Sequence, residues 1–315
     1  MSKTAFLFPG QGSQSVGMLA TLAERFPVVI TTFEQASEVL NYDLWKICQT
    51  GPEQKLNQTE TTQPAMLAAG IASYRCWTQS GGAVPQIMAG HSLGEYSALV
   101  ASGVLDFEEA IKTVALRGRL MQEATPAGVG AMAAILGLDD EILIGICAEY
   151  KGSEVVSCAN FNSPGQVVIA GNISAVEQVC ELASAAGARR AIMLPVSVPS
   201  HCALMKPAAE KLHATLSTLH FSDSQVPVVQ NADVMAYENA AEIIDSLSRQ
   251  LWQPVQWTAT IEHLKTQGVD QFVECGPGKV LAGLNRRISR ESAIMALTDP
   301  EAIESTLELS RQELL

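Results

Sequence analysis

Apolar and polar positions alternate along this chain in two rhythms. Short apolar runs bounded by glycine, proline and polar residues predict strands over 4–8, about 85–90, 226–230 and 269–274. Between them, apolar residues recur at three- and four-residue spacing. That spacing predicts helices over 17–26, 29–40, 63–80, 94–102, 106–123, 203–219, 240–251, 257–267 and 279–290. Asp106 is placed to cap the helix that follows it, with Glu108 and Glu109 in the first turn. Strands and helices alternate throughout, so the expected fold class is α/β with a mostly parallel sheet.

Residues 128–197 break this rhythm. Strand 130–136, helix 139–150, strands 154–160 and 165–171, helix 174–187 and strand 189–195 follow one another. The order β-α-β-β-α-β is the ferredoxin-like pattern. Asn162-Ser163-Pro164-Gly165 supplies the turn between the middle strands, and Gly187 a helix C-cap. The segment therefore reads as a small subdomain, 128–197, inserted into a larger one made of 1–127 and 198–315.

With 315 residues, 47% hydrophobic and 17% charged, the chain can bury a sizeable core, which excludes disorder as its main state. No stretch reaches the ~18 uninterrupted apolar residues of a membrane span. The apolar run Ala5-Phe6-Leu7-Phe8 is cut by Pro9-Gly10 and reads as a buried strand, not a secretory signal; a cytoplasmic location is expected. Seven cysteines (48, 76, 147, 158, 180, 202 and 275) form no CxxC pair and no metal-like spacing. They are expected to pack as small apolar side chains in a reducing compartment, and no metal or cofactor is expected. A net charge of −13 argues against nucleic acid or an anionic membrane as the main partner.

One short segment carries chemistry. Gly90-His91-Ser92-Leu93-Gly94 fits the G-x-S-x-G nucleophile elbow, between an apolar strand and a helical pattern. The turn is so tight that side chains at the flanking positions would clash, hence glycine at both. The serine is aimed outward in a strained conformation, and the following helix points N–H groups at developing negative charge. An ordinary turn serine is the alternative. A serine nucleophile needs a base. His91 adjoins Ser92 and is expected to pack or hydrogen-bond behind the elbow. His213, His220 and His263 lie on or beside polar amphipathic helices and read as surface residues. His201 follows Leu194-Pro195-Val196-Ser197-Val198-Pro199-Ser200, a corner stiffened by two prolines, where an active-site loop residue would sit. Spacing alone does not select it. Asp223, Asp233, Asp245 and Glu274 are all open as the acid of a triad.

Arg117 is a second anomaly. Phe107, Ile111, Val114, Gly118 and Met121 form an apolar stripe, and Arg117 falls on its edge. A guanidinium there is either structurally paired, or snorkelling to water, or a bidentate clamp for a substrate carboxylate near Ser92.

Taken together, these residues resemble a known family. Phe8-Pro9-Gly10-Gln11-Gly12-Ser13-Gln14, Gly90-His91-Ser92-Leu93-Gly94-Glu95 and Val196-Ser197-Val198-Pro199-Ser200-His201 are similar to the signatures of malonyl-CoA:acyl carrier protein transacylases. Asn160-Phe161-Asn162-Ser163-Pro164-Gly165-Gln166 and Gly276-Pro277-Gly278-Lys279 match further family patterns. The motifs stand in the expected order from about residue 4 to 298; the tail beyond is the loose part. The resemblance implies an α/β-hydrolase-like core with an inserted ferredoxin-like subdomain. It implies Ser92 as nucleophile and His201 as base, steadied by the Gln250 carbonyl in place of an acid. The backbone N–H groups of Gln11 and Leu93 would form the oxyanion hole. Arg117 would hold the malonyl carboxylate, with Met121 and Asn162 also contacting substrate.

The implied reaction moves a malonyl group from a coenzyme A thioester to the thiol of an acyl carrier protein, by a ping-pong route through a malonyl-serine ester. A monomer is expected. Carrier proteins of such systems are acidic, and so is this chain, so docking would need a local basic face. Lys279, Arg286, Arg287 and Arg290 on the helix after the glycine turn are candidates for the carrier, and Arg189 and Arg190 for coenzyme A phosphates; solvated surface charge is the alternative for each. A serine esterase or thioesterase, which needs a triad acid and has no use for Arg117, is the competing reading. A non-catalytic acyl-binding subunit is the third.

Overall fold

The computed structural model describes residues 3–126, 128–196 and 198–312. Ala127 and Ser197, at the expected subdomain boundaries, lie outside the described residues, as do Met1, Ser2 and residues 313–315. The strands run in chain order as β1 (Lys3–Phe8), β2 (Ile87–Gly90), β3 (Gly130–Leu136), β4 (Val156–Ser163), β5 (Gln166–Asn172), β6 (Arg190–Met193), β7 (Val228–Val229), β8 (Val269–Glu274) and β9 (Ala293–Ala296). They form two separate sheets. The first has the order β7-β2-β1-β8-β9 and is parallel throughout. The second, β4-β5-β3-β6, is antiparallel. The chain is thus a mixed α/β protein.

In the parallel sheet, strand alternation sorts side chains into two cores. Phe6 and Phe8 of β1 join Leu22, Phe33 and Met66 on one face. Ala5 and Leu7 join Ile87, Trp257 and Phe272 on the other. The antiparallel sheet behaves likewise. Ala131, Ala133 and Ile135 pack with helices Asp140–Ala148 and Ile173–Ala185 on its outer face. Met132, Val168 and Ala170 turn the other way and meet Cys202 of the larger body. The two bodies are stitched at Val255, whose N–H donates to Ala159 O at 2.9 Å while its carbonyl accepts from Phe161 N–H at 3.0 Å.

Most predicted elements are present. Asp106 caps helix Phe107–Ala124 by accepting from Glu108 and Glu109 N–H. Gly187, at φ +105°, follows the end of helix Ile173–Ala185. The helix expected over 203–219 divides into a 3₁₀ turn, Ala203–Met205, and a helix, Lys206–Leu216, with Pro207 in the latter's first turn. The helix expected over 279–290 spans only Val280–Ile288. Lys279 is its N-cap, and Arg290 lies beyond its C-cap, Ser289, so two of the four basic residues leave it. Helices Leu44–Thr50, Glu53–Leu56 and Pro300–Gln312 and strand β9 have no counterpart in the sequence reading. Among the described residues no helix is long and apolar enough to cross a membrane. The cysteines are free; five are buried, and Cys147 and Cys180 are half-buried.

Candidate active site

The carboxyl ends of the parallel strands converge on a cleft of about 500 Å³ between the two bodies. β1 leads into Gly10 and Gln11, β2 into His91 and Ser92, and both turns line the cleft. The elbow is as cramped as its glycines predict. A Cβ on Gly90 would stand 1.9 Å from the Gly94 carbonyl carbon, and one on Gly94 2.0 Å from Phe8 O. Ser92 adopts φ +50°, a region a side chain rarely enters.

His201 meets it from the other side. Its Nε2 stands 2.8 Å from Ser92 Oγ, and its Nδ1 lies 2.7 Å from the Gln250 carbonyl. A carbonyl can only accept, so Nδ1 carries the proton and Nε2 is the free base facing the serine. Burial first, and the Arg117 cation second, push this imidazole down to about 3; the Gln250 carbonyl pulls weakly the other way. It is neutral at physiological pH. None of the four open acids reaches it: Asp233 and Asp245 pair with Arg249, Glu274 accepts from Leu281 and Ala282 N–H, and Asp223 is exposed.

Arg117 is not at the edge of its stripe in space. It is 1% exposed, because Gly118 lets its helix press against Thr59 and Glu60, carrying the guanidinium inward. Nη1 donates to Gln63 Oε1 at 2.8 Å; Nη2 donates to Gln250 Oε1 at 3.0 Å and to Ser92 Oγ at 3.2 Å. Nε–H has no acceptor, and no ion pair to Arg117 occurs among the described residues. The Tyr96 ring lies 5.7 Å from it. The hydrogen-bond partners of Arg117 are neutral oxygens and the buried Glu95 carboxyl acts on it only from a distance, so a carboxylate in direct contact would be favourable. Snorkelling to water is excluded by its burial.

Leu93 N–H and Gln11 N–H, the expected oxyanion donors, accompany Ser92 along the cleft and are engaged by no acceptor among the described residues. Met121 and Asn162 line it too. Asn162 accepts from His91 Nε2 at 2.8 Å, and the His91 ring packs 5.5 Å from Trp257. His91 does hydrogen-bond as expected, but across to the smaller body, and one edge of it borders the cleft. Arg287 donates to Gln166 Oε1 at the cleft's rim. Arg190 pairs with Leu136, whose other cross-strand neighbour is Gln166, so all three share one sheet face. Arg189 packs over Gly137 instead and does not line the cleft; Arg286 is exposed on helix Val280–Ile288. Among the described residues no group of three or more His, Cys, Asp or Glu could hold a metal ion.

Sequence reasoning missed Gln63 and the side chain of Gln250. Gln63 had no signal of the kind that exposed Arg117: it closes the polar run Asn57-Gln58-Thr59-Glu60-Thr61-Thr62, and only the fold shows it buried beside Arg117.

An elbow serine held by a neutral imidazole, beside two uncommitted N–H donors, is the equipment of an enzyme that moves acyl groups. Comparison with known proteins bears this out. Residues 5–298 match the acyl transferase domain family. The chain is 55% identical over 309 residues to the malonyl CoA-acyl carrier protein transacylase of Escherichia coli (strain K12), covering 98% of this chain and all of that one. It is 45% identical to the corresponding protein of Bacillus subtilis (strain 168), over 99% of both. Among solved structures, an acyl carrier protein S-malonyltransferase from Vibrio cholerae superposes with a TM-score of 0.95 at 56% identity, over 97% of this chain and 100% of that chain. A malonyl-transacylase in complex with its type II PKS acyl carrier protein does so with a TM-score of 0.97 at 55% identity, over 98% and 100%. This chain is an acyltransferase. It belongs to the family of malonyl-CoA:acyl carrier protein transacylases.

Proposed function

We propose that the enzyme takes the malonyl group from malonyl-CoA and passes it to the phosphopantetheine thiol of an acyl carrier protein, supplying fatty acid elongation. One observation carries the choice of acyl group: Arg117, a buried cation with no carboxylate in direct contact among the described residues, reaches to 3.2 Å from Ser92 Oγ. A thioester held at Ser92 with a free carboxylate at its far end supplies that contact, and acetyl does not.

The steps follow from the geometry. Ser92 Oγ–H gives its proton to His201 Nε2, and Oγ attacks the thioester carbonyl. Leu93 and Gln11 N–H receive the oxyanion. The C–S bond breaks, and coenzyme A leaves with the proton from His201. The carrier thiol then attacks the malonyl-serine ester by the same path in reverse, which makes the kinetics ping-pong. The substrate also prepares its own base. A carboxylate on Arg117 cancels the second cause that depresses His201, so the imidazole becomes more basic once malonyl is bound. The proposed chemistry calls for no cofactor.

The same reading takes 1–127 with 198–315 as an α/β-hydrolase-like body and 128–197 as a ferredoxin-like insertion. The parallel order β7-β2-β1-β8-β9 and the β-α-β-β-α-β element order support it. It takes the enzyme as a cytoplasmic monomer. Arg190, on the sheet face it shares with Gln166, is assigned to coenzyme A, and Arg287 at the rim to the carrier. Intact mass after mixing with malonyl-CoA tests the core of this: one malonyl mass is expected on Ser92, lost on adding holo-carrier. No adduct, or an adduct elsewhere, overturns it.

A further inference from the structure

Beneath the elbow lies a buried polar cluster that the transfer steps leave unused. Strand β7 is two residues long, yet it pairs in parallel with β2 through Met88↔Val228 and Ala89↔Val229. Two residues past its end stands Asn231, fully buried. Its side chain straddles the nucleophile turn: Oδ1 accepts from Ser92 N–H at 2.6 Å, and Nδ2 donates to Gly90 O at 2.6 Å. Its own N–H donates to Glu95 Oε2 at 2.7 Å. Glu95 is also fully buried, in the first turn of the helix Gly94–Ala101 that leaves the elbow. The other peptide group of the serine is held as well, since Gln250 Nε2 donates to Ser92 O at 3.0 Å.

We propose that Asn231, anchored by Glu95, is a positioning residue that holds Ser92 in its left-handed conformation and fixes which neighbouring N–H faces the substrate. This rests on Ser92 being the nucleophile. With the Ser92 amide committed to Asn231, the next amide, that of Leu93, is the one left to face the cleft. Asparagine suits the place because one short side chain offers both a donor and an acceptor. Aspartate could still accept from Ser92 N–H, but would set an oxygen against Gly90 O. Glu95 contributes a carboxylate acceptor at the start of a helix, where its negative charge, costly on burial, is favoured. Its Oε2 is the atom that Asn231 N–H holds, and the Gln250 side chain and the Arg117 cation also act on the carboxylate.

The test is single-turnover acylation of the full-length enzyme by malonyl-CoA, with intact mass counting the serines that become acylated. Asn231→Ala should acylate on the order of 10²-fold more slowly, because the nucleophile is no longer held in line. Its apparent KM for malonyl-CoA, set by Arg117 and the cleft, should stay within about threefold, and the final count of acylated serines should stay unchanged. Asn231→Asp, which keeps one of the two side-chain bonds, guards against a folding failure and should lose about tenfold. Glu95→Ala should slow acylation, and Glu95→Gln, which keeps an acceptor for Asn231 N–H, should recover most of the loss. Wild-type acylation rates in both Asn231 variants overturn the proposal. So does a loss confined to the number of acylatable serines, which is the mark of a merely structural role. A wild-type enzyme that takes no malonyl on Ser92 overturns instead the reading on which the proposal rests.

Discussion

Every group assigned to the reacting acyl carbonyl hangs from the parallel sheet and its helices, whereas the antiparallel sheet supplies only a wall. Ser92 leaves β2, Gln11 follows β1, and His201, Arg117 and Gln250 come from segments packed on that body. The smaller body faces them with Met132, Asn160, Asn162, Gln166, Val168 and Leu194. The difference lies in how each is held. Ser92 and Arg117 are tied by hydrogen bonds at 2.6–3.2 Å to residues far away in sequence. Among the described residues, the wall meets the larger body through the side-chain bonds His91–Asn162 and Arg287–Gln166. In the proposed reaction the rigid pole makes and breaks bonds, and the wall, half apolar and half amide side chains, flanks the thioester arm. Substitutions in the first should therefore change the chemistry and the choice of acyl group, and substitutions at the rim only the approach of partners.

The sharpest way to break this division is Arg117→Ala. Removing the cation strands the malonyl carboxylate in a buried place, at a cost of about 3 kcal/mol, or roughly 10²-fold in kcat/KM for malonyl-CoA. Acetyl-CoA, which has no carboxylate, should gain in relative terms. Measuring both substrates side by side checks it. An unchanged malonyl-to-acetyl ratio would move selectivity from the pole to the wall.

How much of this was legible in the sequence follows from what each residue must satisfy locally. The elbow was readable because its G-x-S-x-G string is contiguous: Gly90 is demanded by Gly94 and Glu95, only a few residues on, although Gly94 answers to Phe8 O on the neighbouring strand β1. Arg117 betrays itself as a charged side chain beside an apolar stripe, whereas Gln63 ends a polar run and does not. His201 was marked only by its flanking prolines, since what selects it, Ser92, is 109 positions away. The Gln250 carbonyl could not be read from residue type at all, because every residue carries a carbonyl; only resemblance supplied it. Asn231 left a faint trace: Gln230-Asn231 ends an apolar strand, where a parallel sheet presents its functional groups. Strand β9, Ala293-Ile294-Met295-Ala296, is a short edge strand of apolar residues, exposed or half-buried, and shows neither rhythm.

The next prediction concerns pH. The imidazole of His201 is depressed, so the base is lost only as pH falls through that lowered value, not through the ordinary 6.5. An unperturbed histidine would cost about tenfold in acylation kcat/KM between pH 7.5 and 5.5. Here the loss should stay below about twofold. Glu95 and Glu274, both pushed up to about 7 by burial, also change charge in this window. Running Glu95→Gln alongside the wild type removes the first. A tenfold fall in both proteins would mean that His201 is wetter and less buried than its contacts require.

The smallest effect belongs to the rim. Arg287 bridges the two bodies by donating to Gln166, and with Arg286 it stands on the exposed face of helix Val280–Ile288. A chain of net charge −13 repels an acidic carrier at long range, so a local basic patch has to supply the attraction. Exposed charges are screened and individually weak. Arg287→Glu should thus raise KM for the carrier by about fivefold at low salt, and by much less at high salt. Acylation of Ser92 by malonyl-CoA, the other half of the cycle, probes whether the same arginine also serves coenzyme A. An effect on the carrier half alone assigns this face to the carrier and leaves Arg190, across Leu136 and Gln166, for the thioester. Equal effects on both halves would mean that one patch serves both donors in turn. No effect on either, at any salt, would make the rim as passive as the wall beneath it.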